Sequence, residues 1–250
     1  MKDSERKVLE YLSKRKFTVL FSGGKDSLAS LLWVLENIPH SRWNIVYIEI
    51  TGNTHELCTE YVKNICERLD ILNKLEIRRR EDLDFFDCLK KWGMPLIGKY
   101  RWCMYQFKLK LVKDIPFQVT GVKRSDSIVR GKRKVIELFR NTKVMSINPI
   151  FDWSNRDVLS YIKEHRVDIN PCYKLFRHSG NCVFCPYHRD DQIILTLQDP
   201  VWGSKIRKAL QELKARGRIT KEKKEKWLKW IEQTSILQFM QVGIQIPYSI

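Results

Sequence analysis

Six consecutive residues near the start of the sequence have the composition of a phosphate-binding loop: Ser22-Gly23-Gly24-Lys25-Asp26-Ser27. They follow a short apolar and β-branched run, 17–21, and precede a mostly apolar run, 28–35, that is typical of a buried helix. Glycines let backbone N–H groups approach a ligand closely, and the N-terminal end of a helix attracts anions. Lys25 adds a positive charge, and the two serines add hydroxyl donors. We therefore predict that this loop binds phosphate, although its spacing is not that of a Walker A motif.

The seven cysteines suggest a second kind of site. Cys182 and Cys185 form a Cys-x-x-Cys pair, and two further cysteines lie in segments that read as loops. Closely spaced thiolates suit zinc or an iron–sulfur cluster. The predicted metal ligands are Cys103, Cys172, Cys182 and Cys185, with His178 and His188 as substitutes. A redox dithiol and unpaired structural thiols are the alternatives. The three remaining cysteines lie in helical patterns and are predicted to be core residues: Cys58, Cys66 and Cys88.

A third candidate site follows the predicted strand 117–122. Gly121 lies at the end of this strand, and Lys123, Arg124 and Arg130 follow it with hydroxyl residues between them. One guanidinium group can bind two oxygens of a phosphate or sulfate group at once. A solvated charged loop is the alternative. Because ligands of parallel sheets bind at the carboxyl ends of the strands, we predict that Gly121, Arg124 and Arg130 contribute to the nucleotide site.

Strands and helices alternate through the first part of the sequence. The strands are predicted at 17–21, 44–50, 74–79, 117–122 and 143–147, with helices between them. This alternation predicts a doubly wound α/β fold, with a mostly parallel five-stranded sheet and helices on both faces. The turn that contains Gly52 follows the second strand, so we expect Gly52 to lie near the phosphate loop.

The pattern changes after residue 150. We predict a nucleotide-binding α/β domain at 1–150, and a cysteine-containing segment with a basic helical C-terminal region at 151–250. The part from 195 to 240 reads as helical.

The sequence is strongly basic, with 46 Lys and Arg against 29 Asp and Glu and a net charge of +17. Such a charge favours polyanionic partners, RNA or DNA, although a generally basic solvated surface is the alternative. There is no run of 18 apolar residues and no apolar signal core near the start, so we expect a cytoplasmic protein without a membrane partner.

The loop 22–27 resembles the PP-loop of the adenine nucleotide α-hydrolase superfamily. Together with Thr51-Gly52 and the stretch from Gly121 to Arg130, it resembles the phosphoadenosine phosphosulfate (PAPS) reductase family over residues 17 to 187. Asp126 stands where that family usually has glutamate. Family reductases of activated sulfate carry a nucleophilic cysteine in a Glu-Cys-Gly-x-His context, whereas this sequence has no cysteine after Cys185.

The resemblance implies a Rossmann-like, HUP-type fold and an adenine nucleotide, either ATP or activated sulfate (PAPS or its analogue APS). Lys25, Asp26 and Arg124 would be the catalytic residues. Lys25 would neutralise the leaving pyrophosphate, Asp26 would bind Mg²⁺ or set the geometry of the loop, and Arg124 with Arg130 would bind the distal anion. The resemblance also favours a [4Fe–4S] cluster over Zn²⁺.

The leading functional hypothesis is sulfur transfer to an acceptor activated by adenylation. A tRNA base is one such acceptor, and a sulfur donor protein is a further expected partner. The alternatives are a PAPS or APS reductase and a non-catalytic nucleic-acid-binding protein.

Overall fold

The computed structural model describes residues 2–95, 101–140, 142–213, 221–229 and 232. A six-stranded sheet forms its centre. The strands are β1 (Phe17–Leu20), β2 (Trp43–Ile48), β3 (Leu75–Arg78), β4 (Phe117–Val119), β5 (Ile136–Phe139) and β6 (Val144–Ile147). Their order across the sheet is β3-β2-β1-β4-β6-β5.

Besides a helical stretch at 221–229, eleven α-helical segments accompany these strands in the described residues. They are α1 (Asp3–Leu12), α2 (Lys25–Asn37), α3 (Glu56–Arg68), α4 (Phe85–Trp92), α5 (Trp102–Met104), α6 (Lys110–Val112), α7 (Ile128–Gly131), α8 (Asn155–Glu164), α9 (Cys172–Phe176), α10 (Asp190–Gln198) and α11 (Pro200–Glu212). A π-helical segment, Tyr105–Leu109, connects α5 to α6. Short 3₁₀ turns lie at His40–Arg42, Leu72–Lys74 and Arg124–Asp126.

The sheet confirms the predicted doubly wound, mostly parallel α/β fold. Val19 of β1 lies opposite Ile45 of β2 on one side and opposite Val119 of β4 on the other, and both pairings are parallel. The two β-strands added beyond β4 are β6, which is parallel to β4, and β5, which is antiparallel to β6.

The sequence predicts five strands, whereas the described residues form six, and the additional strand is β5. This strand is short, contains Glu137 and lies at the edge of the sheet, where 52% of the Leu138 side chain is exposed. An edge strand needs no continuous apolar run, unlike the inner strands of a parallel sheet. Its sequence therefore looked like a continuation of the basic loop before it.

Two main apolar clusters hold the elements together. One joins β1, β2 and β4 to α1, α2, α3 and α8. The other joins α4, α10 and α11 to Trp102 and Phe107, in a helical stretch that the sequence did not predict. Both clusters contain residues from either side of residue 150, and the division into two domains stays a prediction.

Helix α2 explains how the core positions the phosphate loop. Its residues from Ser27 to Val34 are all buried, so the helix is enclosed by the sheet and neighbouring helices. Gly24 is its N-cap residue. The loop is thus fixed to a fully packed element.

The predicted helical tail is present as α10, α11 and a further helical stretch at 221–229. Residues 214–220, 230–231 and 233–250 lie outside the described part of the chain. No helix in the described residues combines the length and the apolar character that crossing a membrane requires.

Candidate functional site

The candidate site lies between β1 and β4, where the strand order reverses. β2 and β3 extend the sheet beyond β1, whereas β6 and β5 extend it beyond β4. At such a point the two connections diverge and leave a crevice at the carboxyl ends of the strands. A cavity of about 470 Å³ lies there, lined by residues from the loops that follow both strands.

The phosphate loop has a well-defined internal geometry. Gly23 has φ of +76°, a conformation that glycine adopts without steric cost. A Cβ atom on Gly23 would lie 2.9 Å from the sulfur of Cys58, so the loop packs tightly on α3. The Ser27 hydroxyl accepts a hydrogen bond from the Ser22 N–H (3.2 Å) and donates one to the Gly24 carbonyl (2.8 Å). The Ser27 hydroxyl thus stabilises the conformation of the loop.

Two residues from the C-terminal half of the chain fix the loop from outside. The Asn170 side-chain amide donates to the Gly23 carbonyl over 3.1 Å. The backbone N–H of Lys25 donates to the Tyr173 hydroxyl over 3.2 Å. The shape of the loop therefore depends on residues nearly 150 positions away in the sequence.

A buried cation connects the loops after β1 and β4. Only 1% of the Lys123 side chain is exposed, and its Nζ lies 2.6 Å from Asp26 Oδ1 and 2.8 Å from Asp126 Oδ1. Lys25 pairs with the other oxygen of Asp26 (2.9 Å), and Arg130 pairs with Asp126 (2.7 Å). Burial would raise the pKa of Asp126, but its hydrogen bonds from Lys123 and Arg130 lower that pKa overall. Five alternating charges thus join the two loops.

The cavity has an apolar end and a polar end. Apolar side chains form the first: Leu20, Val46, Ile48, Met104, Leu109 and Val112. Hydroxyl, amide and charged groups form the second, among them Ser22, Tyr173, Ser179 and Asn181. A flat apolar base would fit the first end, and an anion held by loop N–H groups would fit the second.

Six of the predicted nucleotide-binding residues line this cavity: Ser22, Gly24, Asp26, Ser27, Gly121 and Arg130. Gly23 does not line the cavity but packs against Cys58 of α3. Lys25 lies beside the cavity, where its Nζ contacts Asp26 and donates to Asn155 over 3.2 Å.

Gly52 and Arg124 do not line the cavity, and their predicted contacts with a nucleotide are not supported by these positions. The Gly52 carbonyl accepts a hydrogen bond from Lys205 (2.7 Å). Arg124 is 56% exposed and pairs with Asp152 at 2.9 Å. The backbone at Lys123 is extended, so successive side chains point to opposite sides, with Lys123 inward and Arg124 outward.

Three of the four predicted metal ligands lie together. Cys103, Cys182 and Cys185 line a second, small cavity with the cationic side chains of Arg101 and Lys108. The negative charge that Cys182 can carry raises the pKa of Lys108, against the opposing effect of burial. Burial raises the pKa of Cys103, and it raises that of Cys185 to about 11. Because two cationic side chains line the cavity with the thiols, the cavity favours a negatively charged group bound to these thiols.

Cys172 lies elsewhere, so the predicted set of four cysteines is not brought together. Its thiol is fully buried in the main apolar cluster, close to Gly180 and Cys58. Burial raises the pKa of Cys172 to about 12, which marks it as a neutral core thiol. In the parts of the chain that the structure describes, no three Cys, His, Asp or Glu side chains are close enough to hold a single metal ion.

Cys182 has an unusual backbone conformation, with φ of +127°. Non-glycine residues rarely adopt such values, which cost on the order of 1–3 kcal/mol and persist only where neighbours enforce them. Asn53 is such a neighbour. It is fully buried, and its side-chain oxygen accepts from the Phe184 N–H (2.8 Å) while its amide donates to the Phe184 carbonyl (2.9 Å). The segment that bears the thiols is therefore held in place.

The two histidines considered as substitute ligands contact each other, with ring centroids 4.2 Å apart and ring planes tilted by 32°. Burial lowers the pKa of His178 to about 3 and that of His188 to about 4, so both rings are neutral at physiological pH. His178 accepts from the Gly180 N–H and contacts the Thr196 hydroxyl. These bonds give His178 a structural role.

The residues that sequence reasoning missed are those whose role depends on distant partners: Asn53, Lys108, Lys123 and Asp126. Lys123 belongs to the predicted anion-binding stretch after β4, but its pairing with Asp26 was not predicted, and Lys108 lies in a stretch with no recognised motif. The one available signal was the position of Lys123 and Asp126 inside the segment that resembles the family.

Comparison with known proteins places the sequence in a family. Residues 16–186 match the phosphoadenosine phosphosulfate reductase domain. The chain belongs to this family. An uncharacterised protein of Methanocaldococcus jannaschii is 30% identical over 184 residues, which cover 69% of this chain and 36% of that protein. The chain thus spans well under half the length of the curated relatives it matches first.

Two solved structures have a similar fold. The PAPS reductase of Candida auris has a TM-score of 0.50 at 19% identity, covering 68% of this chain and 84% of that one. A U34-tRNA thiolase of Methanococcus maripaludis, solved with its [4Fe–4S] cluster, has a TM-score of 0.50 at 18% identity, covering 99% of this chain and 82% of that one. At this identity, the likenesses show a shared fold.

The close approach of Gly121 to α2 gives a first prediction. A Cβ atom at Gly121 would lie 2.6 Å from the carbonyl of Asp26 and the nitrogen of Ser27. Gly121→Ala should therefore lower the free energy of unfolding by about 1–3 kcal/mol and weaken ATP binding, because backbone must move. Gly131→Ala is the control, since its Cβ would meet nothing closer than 3.5 Å. Urea titration and calorimetry would measure both effects, and equal behaviour of the two variants would contradict the prediction.

The buried cation gives a second prediction, with a pH dependence. Lys123→Met should lower the free energy of unfolding at pH 7 by about 3 kcal/mol, because two partly buried carboxylates lose their shared cation. The lowered pKa of Asp126 stabilises the fold above the unfolded pKa of about 3.9, and this contribution is lost as pH falls through the folded pKa.

Urea unfolding from pH 7 down to pH 3 would test this second prediction. The difference between Lys123→Met and the wild type should shrink below about pH 4. Lys132→Met, at an exposed lysine, should show neither effect. A constant difference across the pH range would contradict the proposed pairing.

Proposed function

We propose that this protein binds an adenine nucleotide and takes part in sulfur transfer by adenylating an acceptor. The observation that carries the proposal is the contact between the two cavities. Met104 and Lys108 line both the nucleotide-sized cavity and the cavity that contains the three thiols. A nucleotide and a sulfur-bearing group would therefore lie on opposite sides of the same two residues.

The first step is attack by a carbonyl oxygen of the acceptor on the α-phosphorus of ATP. The new bond joins this oxygen to phosphorus, and the bond from phosphorus to the pyrophosphate oxygen breaks. The N–H groups of the 22–27 loop and Lys25 stabilise the negative charge on the leaving pyrophosphate. In a second step a sulfur nucleophile forms a bond to the activated carbon, and AMP leaves with the former carbonyl oxygen.

The three grouped thiols have the chemistry to hold a cluster. A [4Fe–4S] cluster would be held by Cys103, Cys182 and Cys185, with Arg101 and Lys108 offsetting its negative charge. When bound, it would supply a position for the sulfur that is transferred. A single Zn²⁺ fits less well, because structural zinc takes four convergent ligands and Cys172 lies in the main core.

The acceptor in this proposal is a nucleic acid base. The net charge of +17 favours a polyanionic partner. The similar fold of a tRNA thiolase, whose own substrate is a tRNA, makes RNA the preferred candidate. A cytoplasmic location and a sulfur donor protein belong to the same proposal.

A third prediction tests the nucleotide site. Lys25→Ala should weaken ATP binding at least tenfold in isothermal titration, because a cation beside the phosphates is removed. Its free energy of unfolding should change little, since the Lys25 side chain pairs mainly with its neighbour Asp26. Lys14→Ala, at an exposed lysine before β1, is the matched control. Unchanged ATP affinity in Lys25→Ala would remove the loop from the mechanism.

A specific observation favours a second candidate, the reduction of an activated sulfate ester. Mg²⁺ is bound through free carboxylate oxygens. Asp26 and Asp126 are already paired with Lys123, Lys25 and Arg130, so the site suits a nucleotide that binds without Mg²⁺. In such a reductase two thiols become a disulfide while the sulfate sulfur is reduced to sulfite.

The same titrations separate the two candidates. Adenylation requires tighter binding of ATP with Mg²⁺ than with EDTA, and release of pyrophosphate when an acceptor is present. Reduction requires tight binding of PAPS or APS in EDTA, and release of sulfite with a dithiol donor.

A fourth prediction concerns the cysteines. After anaerobic purification, Cys182→Ala should lose iron and acid-labile sulfide, whereas Cys172→Ala should keep both, because only Cys182 lines the cavity with the other two thiols. Elemental analysis and the visible spectrum measure the outcome. Loss of iron from a folded Cys172→Ala variant would contradict this assignment.

A further inference from the structure

The segment 124–134 carries a concentration of positive charge next to the nucleotide cavity. It contains five Lys or Arg residues and one acidic residue, Asp126. Arg130 and Asp126 line the cavity, so the segment forms part of its rim. Lys132 and Lys134 are exposed and form no ion pair with any residue that the structure describes. These two cations are available to a ligand outside the cavity.

The same rim exposes large apolar side chains. In α7, the exposed fractions of Ile128 and Val129 are 83% and 71%. Tyr105 follows the cavity-lining residue Met104 and begins the π-helical segment that ends at Leu109. Its side chain is 51% exposed, and Lys110 Nζ lies over its ring, 5.1 Å from the centroid. Leu109 lines the cavity and is itself 44% exposed. A monomeric protein exposes few such side chains together unless they contact a partner.

Lys132 and Lys134 share their segment with exposed apolar side chains, and the exposed Tyr105 adjoins the same cavity. Cations together with exposed apolar and aromatic side chains form a combination that binds unpaired nucleotides. Phosphates contact the cations, and bases that are not stacked in a duplex can lie on aromatic or apolar side chains. A duplex offers its phosphates but keeps its bases covered. An acidic protein segment would use the charges but has no flat base to place on Tyr105.

We propose that the rim formed by residues 124–134 and Tyr105 is a docking surface for RNA with an unpaired stretch, whose phosphates contact Lys132 and Lys134. This inference rests on the proposed function, because it identifies the surface by which the acceptor reaches the nucleotide cavity. The inference specifies where RNA docks and that the RNA has an unpaired stretch, neither of which follows from the overall charge.

The test compares two double variants with the same change in charge. Lys132→Ala/Lys134→Ala removes the two free cations at the rim. Lys14→Ala/Lys16→Ala removes two exposed lysines that precede β1, and hence lie at the amino edge of the sheet, opposite the cavity. Binding of a fluorescent stem–loop RNA is measured by anisotropy over a range of salt concentrations, with a blunt RNA duplex of the same stem as the second probe.

The rim variant should bind the stem–loop more weakly, and its slope of log K against log salt should be smaller by about 1.4, since each phosphate contact to a single strand contributes about 0.7. The control variant should match the wild type. Tyr105→Ala should weaken stem–loop binding by about tenfold and leave duplex binding unchanged, whereas Tyr105→Phe should behave as the wild type.

Equal losses in the two double variants would overturn the proposal, because binding would then follow the overall charge. Tighter binding of the duplex than of the stem–loop, or no RNA binding by the wild type, would also overturn it. ATP binding is titrated in parallel. If the wild type does not bind ATP, the proposed function fails whatever the RNA result, and if ATP binds normally in the rim variant, a loss of RNA binding belongs to the docking surface alone.

Discussion

The ammonium group of Lys123, buried between two carboxylates, is the interaction on which the site depends. Desolvating a lysine is costly unless its charge is paired, and here Asp26 and Asp126 both pair with it at hydrogen-bonding distance. One carboxylate belongs to the loop after β1 and the other to the loop after β4. The pair therefore fixes the spacing of the two connections that diverge at the reversal of strand order, which is where the cavity opens.

The rest of the site is built around that fixed spacing. α2 is buried from Ser27 to Val34, and Gly121 approaches its first turn so closely that only glycine fits. Asn170 and Tyr173 add hydrogen bonds from the opposite side. A phosphate group would thus meet N–H groups that are already oriented, which reduces the ordering cost of binding.

The residues around the thiol cavity are also held in fixed positions by their neighbours. Cys182 keeps a strained backbone conformation next to a segment held by the buried side chain of Asn53. Lys108 provides positive charge between this cavity and the nucleotide cavity. The arrangement brings the 22–27 loop, a set of thiols and a basic rim together, and the proposed sulfur transfer relies on this combination.

The fold class and the position of the 22–27 loop follow from local patterns in the sequence. Alternating strand and helix patterns predicted the parallel sheet, because burial on both faces imposes continuous apolar runs, and Ser22 to Ser27 predicted a tight loop at the start of a buried helix, because glycine positions and a helix start are local features. The sequence also predicted that Cys182 and Cys185 lie together, since they are close neighbours in the chain.

The contacts between residues distant in sequence became visible only in the folded structure. It placed Lys123 inward and Arg124 outward, grouped Cys103 with the Cys-x-x-Cys pair but left Cys172 in the core, and added β5 at the edge of the sheet. These outcomes depend on packing between segments far apart in sequence. Lys123 and Arg124 are both cations, and only the direction of the folded backbone makes one side chain buried and the other exposed.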